Sequence, residues 1–255
     1  MCYDAKYLTK RVEKYADRYG IATEDIDPVI LNVGKVHHTN AFAHQKIPVI
    51  TGDNTKQMQA YTWGLVPSWA KSWNDVLKIR NKTLNARSET VFELPSFKAS
   101  VRRNRCIVVF DAFYEHHHLG RSTYPFHIEL ANEDPMSLAG IYSVWKGEND
   151  KGEHFEIPSV SILTTKANEL MAQIHNNPLL KEPRMPVILP QELEKEWINP
   201  RDDNETELLK DLLQPYPSEF LKVKTVRPLR GKNALGNVPE VEDEFQYPVI
   251  GLPPF

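Results

Sequence analysis

Between residues 105 and 165 the chain runs through four apolar, β-branched segments that leave little room for helices between them. They read RCIVVFDAFYE (105–115), YPFHIEL (124–130), SLAGIYSVW (137–145) and HFEIPSVSILTT (154–165). Strands spaced this closely pair antiparallel, because a parallel return needs a crossover of about a dozen residues. An earlier segment, MQAYTWG (58–64), and two later ones at 184–189 and 219–226 also read as strands. Helical spacing is confined to the flanks. Leu8, Val12, Ala16 and Tyr19 repeat at helical intervals over 5–19 and stop at Gly20. Further helices are expected at 166–174 and near 190–198 and 205–213. No regular βαβ alternation exists, so the expectation is a mixed α+β fold: one domain over 1–255, an antiparallel sheet or barrel with peripheral helices.

A chain of 255 residues is long enough for a sizeable core, and no apolar run is long enough to span a bilayer. The first residues are polar and lack the apolar stretch of a signal peptide, which points to a cytoplasmic protein without a membrane partner. Two cysteines, Cys2 and Cys106, are too few for a disulfide framework. Cys106, inside an apolar strand, reads as core filler. The run His116-His117-His118 does not have metal-ligand spacing, since neighbours on a strand face opposite ways, and no metal or cofactor is expected. The net charge of −3 excludes a generally polyanion-binding protein, but the charge is uneven. Eight basic residues between Lys78 and Arg105 face only Glu89 and Glu93, whereas the stretch from 191 onward is acidic. One anion-facing surface on an acidic body is the expectation, with a merely solvated face as the alternative.

Cys2 is the residue with the most distinctive chemistry. Removal of Met1 leaves an α-amine and a thiol on adjacent carbons, and the amine's reference pKa of about 8 keeps part of it unprotonated at neutral pH. Such a 1,2-aminothiol condenses with an aldehyde to an imine, and the thiol then closes a thiazolidine ring. Three other polar clusters stand out. Thr83-Leu84-Asn85-Ala86-Arg87-Ser88-Glu89-Thr90 places amide, guanidinium and carboxylate together before an expected helix, where Ser88 or Thr90 could also be a cap. Glu115 ends an apolar strand, as a proton relay or a solvated carboxylate. His175 leaves a helix through a turn, as an acid–base group or a dipole partner.

Together with Asn40 in TNAFAH, Trp63-Gly64-Leu65-Val66-Pro67-Ser68-Trp69, Ile162-Leu163-Thr164-Thr165, Arg184-Met185-Pro186 and Leu235-Gly236-Asn237-Val238, these segments resemble the SRAP (SOS-response-associated peptidase) family nearly end to end. The resemblance implies a covalent, protective cross-link from Cys2 to abasic sites in single-stranded DNA during a DNA-damage or SOS response. It implies that Asn85 orients the Cys2 amine or the opened sugar, that Glu115 shuttles protons, and that His175 assists ring opening. It further implies DNA contacts from Arg87 and Arg184 on phosphates, from Trp63 and Trp69 against unpaired bases, and from Asn40. The protein is expected to act as a monomer, with lyase-like chemistry and a possible peptidase or self-processing activity. Two departures stand out: Tyr3-Asp4 follows Cys2 where Gly-Arg is common, and residues 176–183 separate His175 from Arg184. An N-terminal-nucleophile cysteine peptidase and a non-covalent single-stranded DNA binder remain as alternatives.

Overall fold

The computed structural model describes residues 2–149, 151–199 and 206–249. Strands β1 (Asp4–Tyr7), β2 (Val36–Asn40), β3 (Lys46–Thr51), β4 (Asn54–Trp63), β5 (Asn85–Arg87) and β6 (Arg105–Phe110) make up the first half. They are followed by β7 (Ala112–Leu119), β8 (Ser122–Leu130), β9 (Met136–Glu148), β10 (His154–Lys166), β11 (Arg184–Pro186) and β12 (Leu221–Thr225). The helices are α1 (Val12–Tyr19), α2 (Pro28–Val33), α3 (Trp73–Arg80), α4 (Lys98–Arg103), α5 (Glu169–Ile174), α6 (Gln191–Ile198) and α7 (Thr206–Asp211). The fold is mixed α+β. None of the described helices is long and apolar enough to cross a membrane.

Two sheets organise the chain. One is antiparallel, in the order β12-β8-β7-β1-β2. In the other, β10, β4, β3, β6 and β9 pair in turn and β9 pairs back onto β10, closing a ring, with β11 and β5 added on β10. Closure removes the exposed edges that an open sheet would leave. The parallel pairings within the ring and its attachments are β10 with β4 and with β5. Strand β6 lies between β3 and β9 and is buried along its whole length, which explains its unbroken apolar run. Cys106 is fully buried there, and its Sγ would stand 2.8 Å from a Cβ placed on Gly140, so the partner strand carries glycine where the sulfur presses.

The expected strand 105–115 is in fact two strands in different sheets. Asp111 breaks it: its N–H donates to the Lys6 carbonyl (2.8 Å), and its carboxylate accepts from Thr9 N (2.8 Å) and the Tyr15 hydroxyl (2.7 Å). Glu115 therefore lies inside β7 rather than at a strand end. The expected helix over 5–19 is also corrected. Residues 4–7 pair with both β2 and β7, Leu8 takes a left-handed backbone (φ 57°), and the helix begins only at Val12. Two neighbouring strands outweigh a weak local helical preference. Residues 88–97 form turns ahead of α4, so neither Ser88 nor Thr90 caps a regular helix.

Candidate active site

The first residues of the chain are clamped where the two sheets meet. The Tyr3 carbonyl accepts from Ala41 N (2.7 Å), and the Cys2 carbonyl accepts from Asn85 Nδ2 (2.9 Å). Asn85 is held by the parallel pairing of β5 on β10, with Asn85 opposite Ile162. A carbonyl can only accept, so the Asn85 Nδ2 must face Cys2 and its Oδ1 must face away. That Oδ1 is buried and accepts no hydrogen bond among the described residues. Cys2 itself is fully buried, and burial, followed by the nearby Glu115 carboxylate, pushes its thiol well above the usual thiol range.

Glu115 and His175 face each other across the same space, with Glu115 Oε1 3.9 Å from His175 Nε2. Burial raises the Glu115 pKa from its ordinary value. His175 is the C-cap of α5, and its Nδ1 lies 2.8 Å from the Arg184 carbonyl. The same Nδ1 lies 3.2 Å from Arg184 N; the shorter contact, to a carbonyl that can only accept, favours Nδ1–H as donor, and Nε2 faces Glu115. Burial lowers the His175 pKa to about 4, so the ring is a neutral base at physiological pH. A carboxyl with a raised pKa and a neutral imidazole thus share one cleft of about 340 Å³, also lined by Tyr3, Asp4 and Arg230. Among the described residues no group of three or more His, Cys, Asp or Glu side chains is arranged to hold a metal. His117, from the histidine run, instead bonds the Gln173 carbonyl through Nδ1 (2.8 Å) and ties β7 to the helix that carries His175.

The structure brings Cys2, Asn85, Glu115 and His175 together but redistributes the expected DNA contacts. Arg184 is corrected: it is 1% exposed, bonded through both terminal nitrogens to Glu89 (2.9 and 2.8 Å), and donates to the Thr164 carbonyl (2.7 Å). Its charge is spent inside the chain, bracing β11 against β10 and so fixing the carbonyl that orients His175. Trp63 is corrected as well. It is fully buried and donates Nε1 to the Leu84 carbonyl (3.0 Å), supporting the residue just before Asn85. Asn40 spends its amide on Asp4 Oδ1 (3.0 Å) and on Phe42 N (3.0 Å), so it shapes its loop. Arg105, the last of the basic run, is buried against the carbonyls of Val101, Arg102, Trp197 and Asn199.

What remains on the surface is Arg87, exposed beside Tyr3, and Trp69, 51% exposed and steadied by a bond to the Pro95 carbonyl (3.1 Å). Sequence reasoning missed Phe42, also 51% exposed, whose ring packs 5.2 Å from that of Tyr3. Its signal was present in the TNAFAH loop, where an aromatic residue in a polar stretch has no core to fill.

The family model described as SOS response associated peptidase (SRAP) matches residues 2–232. The Abasic site processing protein YoqW of Bacillus subtilis (strain 168) is 37% identical over 199 residues, covering 77% of this chain and 82% of YoqW. The Abasic site processing protein HMCES of Xenopus tropicalis is 27% identical over 206 residues, covering 73% of this chain and 55% of HMCES. A crystal structure of a protein from Bacteroides thetaiotaomicron superposes with a TM-score of 0.81 at 32% identity, covering 96% of this chain and all of that one. With one family model spanning the cleft and both sheets, and the fold shared by a clearly related neighbour, this chain belongs to the SRAP family.

Proposed function

We propose that the chain processes abasic sites in single-stranded DNA by covalent capture through Cys2, and the observation that carries this is the chain of neighbours around that residue: Asn85 bonds Cys2, the Glu115 carboxyl acts on its thiol, and Glu115 faces His175. While Met1 is attached, the Cys2 nitrogen is an amide; its removal creates the reactive amine. Asn85 Nδ2, bonded to the Cys2 carbonyl, holds the residue that carries the amine, and its buried Oδ1 has no hydrogen-bond partner of its own among the described residues. The neutral Nε2 of His175 takes the proton of the sugar's C1′ hydroxyl as the C1′–O4′ bond breaks, and the imidazolium returns that proton to O4′, giving the open aldehyde and restoring the neutral ring. The Cys2 amine attacks C1′ and passes one proton to the carbonyl oxygen; the Glu115 carboxylic acid then protonates the resulting hydroxyl, which departs as water and leaves the protonated imine beside the Glu115 carboxylate. The thiol then adds across the C=N bond. Sulfur bonds to C1′, its proton goes to the Glu115 carboxylate, and the C=N electron pair settles on nitrogen, so the thiazolidine forms and the Glu115 acid is restored. A thiol with a raised pKa needs such a base at the moment of attack, which supports a proton-shuttle role for Glu115. Abasic site processing is the activity for which the relatives are named, and the lyase-type cross-link reading extends it to this chain.

The test is incubation of protein with a verified Cys2 terminus with a single-stranded oligonucleotide carrying one abasic site, resolved on a denaturing gel and by intact mass. A heat-stable adduct of protein plus DNA minus one water, absent from Cys2→Ala and from undamaged DNA, is expected. Non-covalent retention alone, equal in Cys2→Ala, would replace this proposal with the plain binding reading.

A further inference from the structure

The cleft contains a cationic group that the chemistry above does not use. Arg230 follows β12 in the segment Pro228-Leu229-Arg230, and its backbone is anchored by Leu229, buried in a small cluster with Tyr114, Val226 and Val241. The guanidinium reaches Asp4, with Nη2 2.6 Å from Oδ2, yet Arg230 remains 59% exposed at its side chain. Asp4 is buried and receives two further donors, His38 Nε2 (2.9 Å) and Asn40 Nδ2 (3.0 Å). Burial alone would raise its pKa, but these bonds and the Arg230 charge hold it below the usual carboxylate range, so it stays an anion.

This arrangement has two effects. The Asp4 charge, which would repel DNA two residues from the nucleophile, is sealed beneath the guanidinium. Arg230, in turn, is aimed by a single nitrogen, and its other nitrogens make no hydrogen bond among the described residues. A guanidinium carries five N–H donors in a planar fork that matches phosphate oxygens in pairs. Asp4 lies about 7 Å along the strand from Cys2, within about one nucleotide's reach of a sugar bound at the cysteine.

We propose that Arg230, preset by buried Asp4, forms a phosphate subsite for the nucleotide adjoining the captured abasic sugar. This rests on the reading that Cys2 captures such a sugar in single-stranded DNA.

The experiment is single-turnover cross-linking, with the rate followed against DNA concentration and salt. Arg230→Ala is expected to raise the half-saturating DNA concentration roughly tenfold at low salt with the limiting rate retained. It should also make the log–log salt dependence shallower by about 0.7, the share of one phosphate contact on a single strand. Arg230→Lys should keep the salt slope and recover part of the affinity. Free 2-deoxyribose, which lacks phosphate, serves as a second substrate, with its adduct read by intact mass. Equal half-saturation and slope for Arg230→Ala and the parent protein would overturn the subsite while leaving capture standing. A matched loss of limiting rate on both DNA and deoxyribose would overturn it too, by showing that Arg230 acts only through the strand that carries Cys2. Failure of the parent protein on both substrates would remove the capture reading itself.

Discussion

Replacing Arg184 with methionine separates a structural brace from a phosphate clamp. The guanidinium is 1% exposed, makes two charge-assisted bonds to Glu89 and one to Glu182 (3.1 Å), and caps the Thr164 carbonyl. Each bond to a charged group contributes about 1.5–3 kcal/mol, though such values do not add. Two features temper the loss. The Thr164 carbonyl keeps a second donor, Ser88 N (2.9 Å), and the Glu89 side chain is 38% exposed and can be rehydrated. Methionine also fills much of the aliphatic space. A cost of about 3 kcal/mol follows, or a Tm lower by roughly 6–12 °C for a chain of this size. Glu89→Ala should cost a similar amount, because it leaves the buried cation with Glu182 as its one carboxylate partner, and the double variant Glu89→Ala/Arg184→Met should recover part of the loss. Thermal unfolding measures all three. The salt slope of single-stranded DNA binding, taken below the transition, should not change. An Arg184→Met protein of unaltered Tm whose salt slope falls by about 0.7 would refute the reasoning and return Arg184 to the DNA.

The two tryptophans should part company. Trp63→Ala, at a fully buried ring, should cost about 3–5 kcal/mol in denaturant unfolding, while Trp69→Ala should leave stability nearly intact and weaken single-stranded DNA binding by about 1–3 kcal/mol in a titration. His175 keeps its ring neutral down to about pH 4 against an ordinary 6.5, so the unfolded chain binds a proton that the folded chain refuses. This residue's contribution therefore falls by about 3 kcal/mol as pH drops from 6.5 to 4 and is constant outside that window. His175→Gln should flatten that part of a stability-against-pH curve. Cys106→Ala should cross-link like the parent protein and lose about 1 kcal/mol of stability, since its thiol is sealed in the ring of strands against Gly140.

The α+β class and most strand positions were legible because β6, β8, β9 and β10 carry long apolar or alternating runs that no local competitor disturbs. Cys2 could be singled out as a candidate for a chemical reason, since a 1,2-aminothiol is a feature of one residue. The places where sequence misled are those where a partner far along the chain decided the outcome. Residues 4–7 became a strand because β2 and β7 flank them, and Asp111 became a break because Thr9 and Tyr15 supply its donors. Likewise, a basic or aromatic residue reads the same in sequence whether it faces solvent or a buried carboxylate. Burial turned Arg184 and Trp63 into supports, left Trp69 and Phe42 outside, and raised the acid of Glu115 while silencing the charge of His175. Arg230, separated from Asp4 by nearly the whole chain, could be paired with it only by the fold. Local pattern fixes what a segment can become and which groups can react. Desolvation and charge pairing depend on what packs against each group, and only tertiary structure supplies that.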